Sequence, residues 1–150
     1  MTFYLAFMIK LKRVLVVDDD EVSRFVTTVI LKQIGCFESI LTASHGREAF
    51  EMLLKDCSAE TVAACWLDLI LLDINMPIMD GFEFLRAHKE KEFRCAPKIV
   101  LLSSSSHPKD LEIARDFNLA GILTKPLTEE ALSKVLEKNF NCSCDEKVNN

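Results

Sequence analysis

Several side chains able to do ionic chemistry stand directly after apolar runs. RVLVV, residues 13 to 17, opens onto three aspartates, Asp18, Asp19 and Asp20. LILL, residues 69 to 72, runs into Asp73, and Pro77 follows shortly after. KIVLL, 98 to 102, ends at Ser103, and AGILT, 120 to 124, ends at Lys125-Pro126. A carboxylate buried unpaired within a strand is costly. At the carboxyl-terminal mouth of a parallel sheet it stands where such folds bind ligands. The acids at one such edge would repel one another and raise one another's pKa. A hard divalent cation relieves that conflict, and Mg²⁺ suits one or two carboxylates, a carbonyl and waters. A lysine supplies a point positive charge for phosphoryl oxygens, and a serine hydroxyl donates to the same atoms. Asp18, Asp19, Asp73, Ser103 and Lys125 together would make a site for phosphoryl transfer to a carboxylate, a group able to act as nucleophile.

That chemistry requires the strand ends to meet. The apolar strands at 13–17, 37–43, 67–73, 98–102 and 120–124 alternate with segments of helical periodicity. After the first strand, Val22, Phe25, Val26, Val29 and Ile30 are spaced three and four apart, which predicts a helix burying that face. Asp19 or Asp20 can cap it and Gly35 can close it. A second helix is expected over 44–55, with Ala49, Phe50, Leu53 and Leu54 inward, then a polar loop over 56–61. A third is expected from Gly81 to about Glu92, carrying Phe82, Phe84 and Leu85. Pro108 fits the first turn of a fourth, whose apolar members are Leu111, Ile113, Ala114 and Phe117. Thr128 caps a fifth, with Ala131, Leu132, Val135 and Leu136 on its face. Strand and helix alternating five times imply an α/β fold, a doubly wound parallel sheet covered on both faces. The strand order 2-1-3-4-5 brings the polar strand ends together, with the crevice between the first and third strands.

Composition supports one domain. The chain has 150 residues, of which 49% are hydrophobic and 27% charged, enough for a core. The net charge of −5 and the lack of a basic stripe argue against direct nucleic-acid binding. The six cysteines, 36, 57, 65, 95, 142 and 144, contain no CxxC pair and are expected as thiols. The apolar stretch Phe3 to Ile9 is seven residues, too short to span a membrane. Residues 1–11 read as an N-terminal extension, with Met8 a candidate start, and 140–150 as a polar tail. A cytoplasmic protein is expected.

VLVVDDDE (14–21), LLDINMPIMDG (71–81), VLLSSS (100–105) and GILTKPL (121–127) resemble the receiver domain of two-component response regulators. The resemblance runs over residues 12–139 and rests on four motifs in order. It implies a flavodoxin-like sheet and a phosphoryl group passed from a histidine kinase or histidine phosphotransfer protein to an aspartate, with Mg²⁺. Asp73 matches the phosphoacceptor. Asp18 and Asp19 match the acidic pair at the metal, the first through water and the second directly. Asn75 matches the position whose backbone carbonyl is a further ligand. Ser103, 30 residues after Asp73, matches the switch hydroxyl, and Lys125, 22 residues further, the lysine that precedes a proline able to be cis. Ile122 stands where the family often has an aromatic residue, so a ring cannot report the switch here.

Each residue alone has a plainer explanation: a helix cap for the acidic run, a turn for Asp73, a loop for Ser103, the surface for Lys125. Their joint placement favours a phosphoacceptor signalling domain rather than an enzyme. The alternative is a small Mg²⁺-dependent phosphatase with an aspartate nucleophile, because Asp18 and Asp20 formally make a DxD, although that leaves Asp73 unexplained. A flavin carrier would set three acids against its phosphate. His45, His88 and His107 share no motif. Eleven residues after Asn139 leave no room for an output domain, so the resemblance implies a stand-alone receiver. Its output would be contact between residues 109–139 and a downstream protein, or a second copy in a homodimer.

Overall fold

The computed structural model describes residues 11–57, 67–93, 96–104 and 107–140. The N-terminal extension to residue 10, most of the expected 56–61 loop, Trp66, Cys65, Cys95, Ser105, Ser106 and the tail with Cys142 and Cys144 lie outside them. The strands are β1 (Leu11–Val17), β2 (Phe37–Ala43), β3 (Leu67–Asp73), β4 (Lys98–Ser103) and β5 (Gly121–Thr124). The helices are α1 (Glu21–Ile34), α2 (Gly46–Cys57), α3 (Gly81–Lys91), α4 (Pro108–Ala114) and α5 (Glu129–Phe140). All pairings are parallel and the order is β2-β1-β3-β4-β5, as expected.

The central strands are apolar on both faces because both faces are covered. Successive side chains of a strand point to opposite sides. Val14, Val16, Leu69, Leu71, Val100 and Leu102 meet Ile30 and Leu31 of α1 and Leu132 and Leu136 of α5. Leu15, Val17, Ile70, Leu72, Ile99 and Leu101 meet Ala49 and Leu53 of α2, Phe82, Phe84 and Leu85 of α3, and Ala114 of α4. Full burial of such side chains is worth roughly 1.5–3 kcal/mol each. That packing makes the sheet a rigid base for the polar strand ends.

The α1 face is a correction. Val22 is 70% exposed and Phe25 67%, and Val26 and Val29 are exposed as well. Only Ile30 of the expected stripe is buried, and the sheet is met by Thr27, Ile30 and Leu31, with Ile34 packed beside them. Two adjacent stripes share Ile30, and the buried one contains a threonine that an apolar count overlooks. Asp20 caps α1 by accepting from the Val22 N–H, and Gly35 ends it in the left-handed region at φ 75°. α4 is also shorter than its apolar spacing suggests. It stops at Ala114, and Phe117 packs on the core from beyond its end. Thr128 caps α5 through the Ala131 N–H. Cys36 is buried and forms no disulfide.

Candidate functional site

Five strand ends set the geometry. Asp18 continues the line of β1, its N–H donating to Ala43 O at the end of β2. Asp73 is the last residue of β3 and lies beside Leu102 in register. Ser103 ends β4, and its carbonyl accepts the Lys125 N–H at 2.7 Å, which holds the segment after β5 against β4. The Lys125-Pro126 peptide bond is cis. The residues predicted from strand ends are thus brought to one edge.

One carboxylate oxygen from each of Asp18, Asp19 and Asp73 lies within 4.8 Å of the others. Asp18 and Asp73 are buried and Asp19 is exposed, so the cluster opens to solvent on the Asp19 side. This oxygen-only donor set fits a hard divalent cation. The Lys125 ammonium lies 2.7 Å from Asp18 Oδ2 and 3.4 Å from Asp73 Oδ2. Asn75 follows on the exposed loop after β3, and Ser103 is buried at the edge of a cavity lined also by Ile74, Leu111, Ala114 and Ile122.

Burial is the largest influence on Asp73 and raises its pKa to about 6, with the Lys125 charge opposing the rise and Asp18 adding to it. Mutual repulsion, expected from the sequence, is therefore secondary to desolvation. Burial also works against the charged Lys125, but its bond to Asp18 and the charges of Asp73 and Asp18 outweigh it and raise its pKa.

The loop from Ile74 to Asp80 is anchored at both ends. The Gly81 N–H donates to Ile74 O, and the Gly46 N–H to Met79 O. A Cβ at Gly81 would stand 2.5 Å from Asp73 O and 2.9 Å from Ile74 Cα. Glycine is needed there because the backbone of Asp73 and Ile74 crosses directly behind it. Within the loop Ile78 holds φ 69°, a conformation β-branched residues rarely adopt.

Two contributors escaped the sequence reading. The Ser23 hydroxyl donates to Asp18 Oδ2 at 2.7 Å, and the Arg24 guanidinium to the Asp18 backbone carbonyl at 2.6 Å. The signal was available in the spacing, since Ser23 lies three residues beyond the Asp20 cap, where a short side chain can reach back toward the helix start. The histidines stand elsewhere. His45 Nδ1 accepts from the Glu48 N–H, His88 packs against Phe84 and Phe93, and His107 precedes α4 without a capping bond.

Residues 14–137 match the response regulator receiver domain model. The autoinducer 1 sensor kinase/phosphatase LuxN of Vibrio campbellii is 36% identical over 128 residues, covering 85% of this chain and 13% of that protein. The two-component response regulator ORR41 of Oryza sativa subsp. japonica is 32% identical over 129 residues, covering 86% of this chain and 94% of that protein. This chain therefore spans a small part of one relative and nearly all of the other. A two-component response regulator from Cytophaga hutchinsonii superposes with a TM-score of 0.76 at 31% identity, over 88% of this chain and 98% of that one. The Vibrio cholerae chemotaxis protein CheY4 superposes at 0.66 with 31% identity, over 85% and 98%. A receiver is a signalling module rather than a metabolic enzyme, and among the described residues no helix is long and apolar enough to cross a membrane. With the motifs in order, the sheet in the expected sequence and the carboxylates gathered at its edge, the chain belongs to the response regulator receiver domain family.

Proposed function

We propose that residues 12–139 form a cytoplasmic receiver that takes a phosphoryl group onto Asp73 from the phosphohistidine of a sensor histidine kinase or histidine phosphotransfer protein. The observation that carries this reading is the convergence of Asp18, Asp19 and Asp73 within 4.8 Å, with Lys125 against the same carboxylates. The Asp73 carboxylate attacks phosphorus, the N–P bond breaks, and an acyl phosphate forms. Burial raises the Asp73 pKa to about 6, while the Lys125 charge favours the ionised form that attacks. Asp18, Asp19, Asp73 and the Asn75 carbonyl would hold Mg²⁺, which would supply positive charge for the transferring phosphoryl oxygens. Lys125 is close enough to Asp73 to turn to one of those oxygens, and the Ser103 hydroxyl can donate to another.

Two surfaces fit the traffic such a module needs. The unburied α1 stripe of Val22, Phe25, Val26 and Val29 begins beside the acidic edge and suits an apolar face on the phosphodonor protein. On the other side, the cavity of about 200 Å³ between Ser103, α4 and β5 gives α4 room to shift when Ser103 moves. That supports output through residues 109–139 to a downstream protein or to a second copy. The phosphatase alternative is weakened because the Asp20 carboxylate caps α1.

Incubation with Mg²⁺ and acetyl phosphate, followed by intact-mass measurement, tests the assignment. One added phosphoryl group is expected, labile to hydroxylamine and absent from Asp73→Asn. Equal labelling of that variant would refute it, and rapid turnover would favour the phosphatase.

A further inference from the structure

Asp18 is fully buried, and its carboxylate accepts three hydrogen bonds. Oδ1 takes the Asp20 N–H at 3.0 Å. Oδ2 takes both the Ser23 hydroxyl and the Lys125 ammonium, each at 2.7 Å. The same lysine stands farther from Asp73, at 3.4 Å. In this state Lys125 is therefore committed to Asp18 more than to the nucleophile. If Asp73 carries a phosphoryl group, the ammonium must leave Oδ2 or share itself. A buried acceptor stripped of its partner is penalised in full, and more so when charged.

We propose that Ser23 is a positioning residue that keeps Asp18 Oδ2 satisfied while Lys125 turns to the phosphoryl group on Asp73. This rests on the receiver reading and adds to it a residue outside the motif positions. The hydroxyl sits on the lysine's own acceptor atom, so it can remain when the ammonium departs. Arg24 holds the Asp18 carbonyl at 2.6 Å and fixes the backbone from which the carboxylate is aimed. Asp20 cannot substitute, because its N–H serves the other oxygen. With alanine at 23, the ammonium becomes the only donor on Oδ2 among the described residues and is held there more firmly. Ser23 is half-buried in the first turn of α1, where alanine is a good helix former, so the substitution leaves the fold in place.

Beryllofluoride with Mg²⁺, a mimic of the phosphoryl group, can be titrated into wild type, Ser23→Ala and Ser23→Thr. The Lys125 ammonium is followed by nitrogen NMR and identified with Lys125→Arg. Ser23→Ala is expected to need roughly tenfold more beryllofluoride, because only in that variant does the loaded state leave Oδ2 without a donor, the penalty of one buried unsatisfied acceptor. Ser23→Thr should restore the wild-type titration. In metal-free protein, Ser23→Ala should exchange its Lys125 ammonium protons more slowly than wild type, a readout that a general loss of stability would reverse. Equal titration and equal exchange in wild type and Ser23→Ala would overturn the proposal alone. A wild type that does not take beryllofluoride would overturn the receiver reading, and this proposal with it.

Discussion

Replacing Asp73 with asparagine should make the metal-free protein more stable. The carboxyl group is buried at the end of β3 and its pKa stands near 6, against 3.8 for an ordinary aspartate. The folded chain thus binds that proton more tightly than the unfolded chain. By linkage, stability falls as pH rises through the interval between the two values, and the whole penalty is present above about pH 6. At about 1.4 kcal/mol for each tenfold change in proton affinity, it amounts to about 3 kcal/mol at neutral pH. Asparagine keeps the shape, removes the charge and leaves the 2.7 Å contact between Lys125 and Asp18 in place. For a domain of this size the gain corresponds to roughly 6–12 °C in Tm.

Thermal or urea unfolding of both proteins in a chelator, from pH 4 to pH 8, measures the effect. The two curves should converge near pH 4 and separate above pH 6, with the variant higher. Millimolar Mg²⁺ should stabilise wild type more than Asp73→Asn and narrow the gap, because binding to the folded state adds stability by mass action. A gap of zero at pH 7.5, or one that does not change with pH, would refute the argument that burial governs this carboxylate.

Phe25→Glu should leave stability within about 0.5 kcal/mol, since the ring is largely exposed, and should leave labelling by acetyl phosphate intact. It should slow transfer from a phosphodonor protein, read as the rate of label loss from a phosphorylated kinase or phosphotransfer domain. Ile78→Asn should raise stability by about 1 kcal/mol in chemical denaturation, because asparagine tolerates the left-handed conformation at φ 69° and the isoleucine side chain is 74% exposed.

The sheet edge was legible because its signals are local and coarse. An apolar run that ends in Asp18 or Asp73 reads as a strand delivering a charge, and parallel connectivity places all such ends on one side. The cooperation of Lys125 with Asp18 was less legible. The residues are 107 positions apart, and their 2.7 Å contact depends on how β5 is seated against β4. The approach of Gly81 to the Asp73 backbone is similarly a consequence of the loop's return path. Ser23 is legible only in part, since its spacing from the Asp20 cap can be read but one hydroxyl in a helix carries no periodic signal. Its role depends on which strand end the helix start overhangs.

The α1 stripe shows a different limit. Periodicity reports that Val22, Phe25, Val26 and Val29 can be buried, without saying by what. The fold uses the neighbouring stripe of Thr27, Ile30, Leu31 and Ile34, since that one closes the layer shared with Leu132 and Leu136 of α5. An apolar stripe that the core does not require gains nothing for the isolated domain, and its exposure favours association. The stripe begins at Val22, four residues after Asp18, so a phosphodonor protein of the kind proposed above, seated on it, would reach the acidic edge. A partner seated there would exclude water from the side on which Asp19 is open, strengthening each charge interaction at the moment of transfer. On that proposal the exposed α1 face and the acidic edge would act as one surface.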